Sequence, residues 1–396
     1  MQSKTKKILV RGPVLTRSGY GTHARQVVRH LFDLQDAGAP IEIRFELLPW
    51  GNTPWIFKGD VDNGIIGRII GSTNFNEIKE YDVSIQIQLP NEWDIKKAKY
   101  NIGITAGVET TMCNPNWIEA INKMDLVIVP SEFTKKTFLN SGEVKTDIRV
   151  VPESFIDEIS DENLPPLELK NIESSFNFLV FGQITGNNPE NERKNLFYTI
   201  KWFCDVFSKN PDVGLVIKTN CGRNTAIDRL RTQNLLNDVL TKSGYNGVPK
   251  VYLLHGEMSN EDVAGLYKSP KIKALLSLSR GEGFNIPALE AAASSLSVIA
   301  TDWSAHTEFL GKGKFGNVSK TLVPIHESRV DGNIFMAGSK WAAPSEEDAK
   351  RRMRKIYESP SVPREWANDL KKVIREQYSF AAISNAYKQA LSGVFE

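Results

Sequence analysis

The residues of this chain best suited to chemistry are two glutamates eight positions apart, Glu282 and Glu290. A short apolar run at residues 274–279 precedes them and predicts a β-strand. Residues 287–293 predict a helix that opens with proline, where a missing N–H costs nothing. A second apolar run follows at residues 297–301. The unit is therefore strand, loop, helix and strand, which is the pattern of a parallel α/β sheet.

The helix that opens between the two glutamates presents free N–H groups and a partial positive charge, and both favour phosphate. The two carboxylates repel phosphate, so they suit a ligand that carries hydroxyl groups as well. A nucleotide sugar has both kinds of group. The alternative is that the glutamates form a solvated rim beside an ordinary loop, and their spacing alone leaves both interpretations open.

The segment GEGFNIPALEAAA followed by VIATD resembles the E-x(7)-E signature of the family-four retaining glycosyltransferases, or glycosyltransferase group 1. The resemblance implies the GT-B fold, an α/β architecture of two Rossmann-like domains whose parallel sheets face each other across a cleft. It also implies that Glu282 contacts the donor sugar as a catalytic residue and that Glu290 binds the ribose hydroxyls. The loop residues that this resemblance assigns to the donor are Gly283, Phe284, Asn285 and Ile286.

The composition fits two domains in one chain. A length of 396 residues is enough for two separate cores. The three cysteines are far apart and lack the spacing of a metal site, which favours reduced thiols and a cytoplasmic setting. No apolar stretch reaches the length of a transmembrane helix, and we expect no signal peptide. A net charge of +2 is too small to imply a polyanionic partner, and the oligomeric state is left open.

Strands and helices alternate through both halves of the chain. In the first half we predict strands at 7–10, 41–48, 81–89, 101–106, 125–129 and 148–151, and helices at 19–34 and 117–123. In the second half we predict strands at 176–181, 213–218 and 251–254, and helices at 194–208, 226–242, 345–359 and 364–395. An acidic, proline-containing stretch predicts a linker at 158–175. The expected domains are an N-terminal acceptor domain over 1–157 and a C-terminal donor domain over 176–377. By resemblance, a last helix at about 378–396 packs back on the first domain.

Gly19, Tyr20 and Gly21 form a glycine-rich loop between the first strand and its helix. Glycine lets a ligand approach the backbone closely. In the glycosyltransferases that the chain resembles, the corresponding loop faces the donor diphosphate and the acceptor. Tyr20 could stack on a sugar or a base, or it could pack against its own domain, and a tight turn without any ligand would use the same residues.

Arg193 and Lys194 stand at the start of the predicted helix that follows the strand at 176–181. Two cations at a helix start oppose the helix dipole unless an anion lies between them, which favours phosphate binding. Members of the family carry an Arg directly after that strand and a Lys a few residues later, and here Gln183 replaces the Arg. We assign Lys194 to the diphosphate, with Arg193 substituting for the missing Arg. The alternative is a solvated basic pair.

Glu109 is the ionisable residue of the segment NIGITAGVETT, in which members of the family often have a His. It could act as the base for the acceptor, contact the sugar, or cap a helix together with Thr110 and Thr111. We include it with Glu282 as a candidate catalytic residue. His23, in the first predicted helix, suits packing better than catalysis.

The expected donor is a UDP- or GDP-sugar, because it leaves as a nucleoside diphosphate whose growing charge the cations and a helix N-terminus would stabilise. No DxD-type carboxylate pair follows a strand, so we expect neither a required metal nor a tightly bound cofactor. Retention of the anomeric configuration is implied by the resemblance alone.

The segments RGPVLTRSGYGTHAR, GVETT and LPWGNTPW resemble glycosyltransferases of tailed bacteriophages. That resemblance implies a hydroxyl acceptor on hydroxymethylated bases of phage DNA and a location in the host cytoplasm. Basic groups at 96–99, 135–136 and 351–355 would then hold the phosphate backbone. The alternatives are a saccharide, lipid or protein acceptor, a GT-B sugar-nucleotide epimerase, and a non-catalytic sugar-nucleotide-binding module.

Overall fold

The computed structural model describes residues 5–73, 80–184 and 188–395. Within these ranges the chain forms two compact units. Unit 1 comprises the described parts of Met1–Val108, Met112–Ser154 and Phe380–Glu396. Unit 2 comprises the described parts of Glu109–Thr111 and Phe155–Ser379. Both units therefore take residues from distant parts of the chain.

Unit 1 is built on a parallel sheet of six strands within the described ranges, in the order β2-β1-β3-β4-β5-β6. The strands are β1 (Lys6–Gly12), β2 (Ile41–Leu47), β3 (Val83–Ile87), β4 (Tyr100–Ile104), β5 (Leu126–Val129) and β6 (Ile148–Val150). The helices that follow them are α1 (Gly19–Asp36), α2 (Ile65–Gly71), α3 (Pro115–Ile121) and α4 (Glu132–Ser141). β3 and β5 are buried along their whole length; β5 is wholly apolar, whereas the polar Ser84 and Gln86 of β3 are satisfied by hydrogen bonds.

Unit 2 contains a second parallel sheet, also of six strands among the described residues, in the order β12-β11-β10-β7-β8-β9. The strands are β7 (Phe176–Phe181), β8 (Val213–Thr219), β9 (Lys250–His255), β10 (Ile272–Ser277), β11 (Ser297–Thr301) and β12 (Gly316–Val318). The helices are α5 (Leu196–Phe207), α6 (Ala226–Lys242), α7 (Asn260–Lys268), α8 (Ile286–Ala293) and α9 (His306–Leu310). Phe178, Phe203 and Phe207 pack together at the centre of its core.

An antiparallel hairpin follows the second sheet, made of β13 (Lys320–Pro324) and β14 (Lys340–Pro344). Three helices come after it: α10 (Glu346–Glu358), α11 (Ser361–Gln377) and α12 (Phe380–Ala390). α10 and α11 belong to unit 2, whereas α12 packs against α1 in unit 1. The guanidinium of Arg29 on α1 lies 3.7 Å from the ring centroid of Phe380, which attaches the start of α12 to unit 1.

The secondary structure agrees with several of the predicted elements and corrects others. The strands at 176–181 and 297–301 and the helix at 226–242 have the bounds that the sequence predicts. The helix predicted from residue 194 begins at Leu196, because Asn195 takes a left-handed backbone conformation with φ of 55°. The helical segment predicted over 364–395 consists of α11 and α12, and α12 lies within the last helix predicted at about 378–396.

The segment at 158–175, which the sequence predicts as a linker, packs on unit 2. Its Leu169 and Ile172 are buried, and the carbonyls of both accept hydrogen bonds from the ammonium of Lys271, at 3.0 and 2.5 Å. The N–H of Leu167 donates to the carbonyl of Gly265 at 2.8 Å. The predicted division into acceptor and donor domains stays a prediction.

Candidate active site

Three charged residues that the sequence predicts for the site lie on two loops of unit 2 that leave the same edge of its sheet. β7 and β10 are neighbouring parallel strands, so their carboxyl ends meet at that edge. The loop after β7 carries Arg193 and Lys194, and the loop after β10 carries Glu282. The N–H of Arg280 donates to the carbonyl of Arg193 at 2.8 Å and joins the two loops. This edge is also where the strand order reverses, a position where α/β proteins commonly bind ligands.

The carboxylate of Glu282 lies between two cations. Arg193 Nη1 is 2.8 Å from Glu282 Oε2, and Lys194 Nζ is 2.7 Å from Glu282 Oε1. The Glu282 side chain is only 6% exposed, and its backbone N–H donates to Ser304 Oγ at 2.9 Å. Burial opposes ionisation of this carboxyl, but Lys194 and Arg193 outweigh it and lower its pKa to about 2. Glu282 is therefore a fixed anion at neutral pH.

Arg193 also reaches a second carboxylate, because its Nη2 is 3.2 Å from Glu109 Oε1. Burial raises the pKa of Glu109 above its usual range against the opposing charge of Arg193, and the Glu282 carboxylate raises it further. Burial disfavours the charge on Arg193, but Glu109 and Glu282 together raise the pKa of the guanidinium. The two carboxyls that share Arg193 thus have pKa values displaced in opposite directions.

Glu109 is held against the β10 loop by a close backbone approach. A Cβ on Gly281 would lie 2.0 Å from the carbonyl oxygen of Glu109, so residue 281 must be glycine for the two segments to meet. Glu109 caps no helix, because α3 begins at Pro115 and is capped by Asn114. Of the alternatives that the sequence leaves open for Glu109, the base and the sugar contact are compatible with this position.

The anion expected between Arg193 and Lys194 is provided by the chain itself. The sequence predicts that two cations before a helix require an anion between them, and the carboxylate of Glu282 occupies that position. Lys194 is 30% exposed, and its one hydrogen bond to the described residues uses one of the three N–H donors of its ammonium. It retains donors for a further anion.

The residues from Gly283 to Ile286 lead into α8. Asn285 caps the helix with φ of 89°, and its side chain accepts from the N–H of Ala288 and donates to Ser277 Oγ at 2.9 Å. Phe284 packs on Phe309 with ring centroids 5.4 Å apart. Pro287 lies in the first turn of α8, as predicted.

Glu290 lies in a different set of contacts from Glu282. Tyr267 Oη donates to Glu290 Oε2 at 3.1 Å, and the side chain is buried. Burial raises the pKa of Glu290 to about 8, and the nearby carboxylate of Glu158 adds to the increase. Glu290 is therefore largely protonated at neutral pH, in contrast to Glu282.

The glycine-rich loop predicted from the sequence lies in unit 1, at the start of α1. Tyr20 stacks on Trp50 with ring centroids 4.2 Å apart. A Cβ on Gly21 would lie 2.1 Å from the Thr16 carbonyl oxygen, so this glycine permits the tight turn, whereas Gly19 faces open space. His23 is buried, and its Nε2 is 3.0 Å from Tyr387 Oη, which agrees with the packing role expected for it.

Sequence reasoning missed the hairpin β13–β14, which touches every segment that carries an ionic residue of the site. The backbone of Lys340 forms two hydrogen bonds of 2.9 Å with Thr111, next to Glu109. The N–H of Ala342 donates to the carbonyl of Arg280 at 2.8 Å, and Ser328 bonds to Asn191 on the Arg193 loop. The hairpin therefore fixes the positions of these segments, and no motif in its sequence indicates this.

Asn195 is a further residue that the sequence did not indicate as part of the site. Its side chain is 1% exposed, and its amide has no hydrogen-bond partner among the residues that the structure describes. Asparagine tolerates the left-handed conformation observed here better than most residues do, which is the one signal available in the sequence. Asn195 therefore sets the start of α5 directly after Lys194.

Across the described ranges, no group of three or more His, Cys, Asp or Glu side chains is arranged to hold a metal ion. In the same ranges, no helix is long and apolar enough to cross a membrane.

Residues 190–328 match the family model of the glycosyl transferases group 1. No curated protein matches the sequence. Among solved structures, the chain is similar to sucrose-phosphate synthase from Thermosynechococcus elongatus, with 11% identity, a TM-score of 0.66 and coverage of 98% of this chain and 99% of that chain. A glycosyltransferase from Rickettsia africae matches with 13% identity, a TM-score of 0.65 and coverage of 99% and 100%. HepE from Anabaena, solved in complex with UDP and glucose, matches with 14% identity, a TM-score of 0.62 and coverage of 98% and 100%. These similarities establish the GT-B fold.

Proposed function

We propose that this chain, a glycosyltransferase with the GT-B fold, moves a sugar from a UDP- or GDP-sugar to a hydroxyl acceptor with retention of the anomeric configuration. The observation that carries the proposal is the buried Glu282 carboxylate, held at 2.7–2.8 Å by Lys194 and Arg193 beside the start of α8. An anion for sugar hydroxyls, cations for phosphates and a helix N-terminus lie together within the region that matches the group 1 family. The UDP and glucose in the related Anabaena structure support a nucleotide-sugar donor.

The opposite pKa displacements of Glu282 and Glu109 support different roles for the two carboxyls. With a pKa of about 2, Glu282 stays ionised and accepts hydrogen bonds from the hydroxyls of the donor sugar. The raised pKa of Glu109 makes this carboxylate the better proton acceptor, so we assign it to the acceptor hydroxyl. Arg193 touches both and keeps their separation fixed.

In the proposed reaction the bond between the anomeric carbon and the diphosphate oxygen breaks, and its electron pair leaves with the nucleoside diphosphate. The acceptor oxygen forms the new bond on the same face of the sugar, and its proton passes to the departing diphosphate or to Glu109. Lys194, whose partly exposed ammonium keeps further donors, stabilises the charge that grows on the diphosphate.

We assign Glu290 to the ribose of the donor. At neutral pH its carboxyl is largely protonated, so it can donate to one ribose hydroxyl and accept from another. The hydrogen bond from Tyr267 fixes the orientation of the carboxyl. Gly283, Phe284 and Ile286 complete the proposed donor loop between the two glutamates.

We assign acceptor binding to unit 1, with the loop that carries Gly19, Tyr20 and Gly21. A DNA acceptor would require cations that are available to phosphates. Lys97 Nζ is 2.7 Å from Glu46 Oε2, Lys99 is 3.3 Å from Asp82, and Arg351 pairs with Asp348. These three are thus paired within the chain, out of the nine basic residues expected to hold DNA, and hydroxymethylated DNA enters the test as one acceptor among several.

The test is a donor and acceptor panel with the purified chain. UDP- and GDP-sugars are titrated by calorimetry, and each donor that binds is incubated with saccharides, lipid-linked saccharides, peptides and hydroxymethylated duplex DNA. We expect transfer to one acceptor class, with the anomeric configuration of the donor preserved in the product by NMR, and loss of transfer in Glu282→Gln.

The other outcomes identify the alternatives. Release of free sugar with an altered configuration and no acceptor identifies an epimerase. Binding of a donor without turnover identifies a sugar-nucleotide-binding module. If no nucleotide sugar binds the folded chain, the proposal is wrong.

A further inference from the structure

Two stacked aromatic rings lie at the carboxyl edge of the sheet in unit 1. Tyr20 follows β1 and Trp50 follows β2, and their ring centroids are 4.2 Å apart with planes inclined by 27°. Tyr20 Oη lies 2.9 Å from Thr105 Oγ1 and accepts from the N–H of Gly107 at 3.2 Å, directly after β4. The pair therefore extends over the position where the strand order reverses, between β1 and β3. Ligands of parallel α/β sheets bind at such positions.

The loop that carries Trp50 is fixed to the loop that carries Tyr20. The N–H of Ile56 donates to the carbonyl of Leu15 at 2.7 Å, and the N–H of Arg17 donates to the carbonyl of Pro54 at 3.0 Å. Thr53 Oγ1 donates to the carbonyl of Trp50 at 3.0 Å. A ring held in this way loses little conformational freedom when it binds a ligand, which favours affinity.

The rings suit a ligand with a flat apolar face. Tyr20 covers one side of the Trp50 indole, and the side chain of Trp50 is only half-buried. The C–H face of a sugar ring and the face of a nucleobase both stack on aromatic side chains. The charge at this edge distinguishes the two, because Arg11 and Lys97, at 2.8 and 2.7 Å, are both paired with Glu46. Two cations that share one carboxylate leave a single net positive charge, which is much less than a polyphosphate strand needs from its binding site, so the surroundings favour a neutral ring.

We propose that Trp50, supported by Tyr20, is the surface on which the ring of a neutral saccharide acceptor stacks. The inference rests on the proposed glycosyltransferase function and names the substrate class of its acceptor. Trp50 is a positioning residue in this role: it orients the acceptor ring and takes no part in the transfer of the proton or the sugar.

The test separates acceptor binding from donor chemistry. Hydrolysis of the bound nucleotide sugar by water needs no acceptor, so it measures the donor site alone. In Trp50→Ala we expect the KM for the saccharide acceptor to rise about tenfold or more while the rate of donor hydrolysis stays unchanged. Trp50→Phe keeps an aromatic face and should recover most of the acceptor affinity. Trp55→Ala is the matched control, because Trp55 stacks on Phe57 in the same loop and should leave the acceptor KM unchanged.

A second measurement makes the test independent of turnover. The protein is labelled with 5-fluorotryptophan, and the Trp50 resonance is assigned by its absence in Trp50→Phe. Maltose, cellobiose and lactose are then titrated separately, followed by a duplex that contains 5-hydroxymethylcytosine. We expect a saccharide to shift the Trp50 resonance even without donor, so the acceptor proposal can be assessed if donor binding fails.

Three results would overturn the proposal. One is an unchanged acceptor KM in a folded Trp50→Ala protein. Another is transfer to the hydroxymethylated duplex and not to any saccharide. The third is a Trp50 resonance that none of the three disaccharides moves, together with no transfer to any of them from a donor that the wild type binds. By contrast, a saccharide-dependent shift of Trp50 in a protein that binds no nucleotide sugar would support the saccharide site and contradict the proposed function.

Discussion

Replacing Glu282 with Gln removes one charge from the centre of the ionic site and keeps the shape of the side chain. The pKa of Glu282 falls from 4.5 to about 2 in the folded chain. At about 1.4 kcal/mol for each pKa unit, this difference corresponds to about 3 kcal/mol of stability. Removing one partner of a buried ion pair typically costs about 3–5 kcal/mol, which agrees with that value. We therefore expect Glu282→Gln to lower the free energy of unfolding of unit 2 by about 3 kcal/mol at pH 7.

The pH dependence of this loss follows from the direction of the pKa displacement. Because the folded pKa is lower than the unfolded one, the stabilisation is complete above pH 4.5 and disappears as the pH falls toward 2. The difference between wild type and Glu282→Gln should therefore shrink between pH 4.5 and pH 2. The other carboxyl groups are shared by the two proteins and their titration largely cancels, except that of Glu109, whose pKa the Glu282 carboxylate raises.

Glu290 provides the matched control with the opposite sign. Its folded pKa of about 8 exceeds the unfolded value of 4.5, so its contribution to stability is complete below pH 4.5 and is lost as the pH rises toward 8. Glu290→Gln cannot ionise and should gain stability relative to wild type over that range. The two substitutions lie eight positions apart and should have opposite pH profiles.

The assay is urea unfolding at pH 3, 5, 7 and 8, followed by pulsed hydrogen exchange and mass spectrometry of the peptide that contains β10. This peptide reports the stability of unit 2 separately from that of unit 1. If Glu282→Gln lowers the free energy of unfolding by the same amount at pH 3 and at pH 7, the charge of Glu282 does not cause the loss of stability. If the free energies of unfolding of Glu282→Gln and Glu290→Gln, each relative to wild type, change with pH in the same direction, the reasoning for both glutamates is refuted.

Two further predictions concern the donor site, and a third concerns the backbone contact beside Glu109. Glu290→Ala should weaken binding of the nucleotide sugar by about 1–3 kcal/mol, measured by calorimetry, because it removes hydrogen bonds to ribose. An unchanged affinity for the nucleotide sugar would contradict the assignment of Glu290 to the ribose. Lys194→Ala should lower kcat about 100-fold while the Kd for the donor changes far less, because the charge that Lys194 stabilises grows toward the transition state. Rapid-quench kinetics measure the transfer step and calorimetry measures the Kd. Equal losses in kcat and in donor affinity would argue that Lys194 acts in ground-state binding. Gly281→Ala should destabilise the chain by about 1–3 kcal/mol in a thermal melt, since its Cβ would lie 2.0 Å from the Glu109 carbonyl oxygen. Gly19→Ala is the control: its Cβ meets open space, so the melting temperature should change little.

The elements around Glu282 and Glu290 could be predicted from the sequence because local signals define them. The strand at 297–301 is a short apolar run between polar residues, and the helix before it opens with proline. The sequence predicts the start of α5 two residues before its position in the structure. Its cap is an asparagine in a left-handed conformation, and two residues with strong helix propensity precede it.

The partners of the site residues could not be predicted, since they depend on the order of the strands. Arg193 and Glu282 are 89 positions apart and meet because β7 and β10 are neighbours in the sheet. The spacing of charges indicates that Arg193 and Lys194 need an anion but does not identify Glu282. The stacking of Tyr20 on Trp50 likewise requires the loops after β1 and β2 to meet.

The protonation state of Glu290 was beyond sequence reasoning for a different reason. Two glutamates in one motif have the same intrinsic chemistry, and the environment alone separates their pKa values to about 2 and about 8. Glu282 contacts the cations of Arg193 and Lys194, whereas Glu290 is buried beside the Tyr267 hydroxyl and close to the Glu158 carboxylate. These neighbours of Glu290 come from α7 and from the segment before β7.

The interleaved composition of the two units has a consequence for biosynthesis. Glu109–Thr111 belong to unit 2 although the rest of that unit begins at Phe155, and α12 belongs to unit 1 although it follows all of unit 2. The ribosome therefore synthesises Glu109 of the ionic site long before its partner Arg193. It synthesises α12, the last helix of unit 1, after the whole of unit 2. Domains usually fold in order as they leave the exit tunnel. The surface of α1 that α12 covers therefore stays exposed until residues 380–390 emerge, so translational pauses in the second half of the message extend the time for which that surface is open to chaperones.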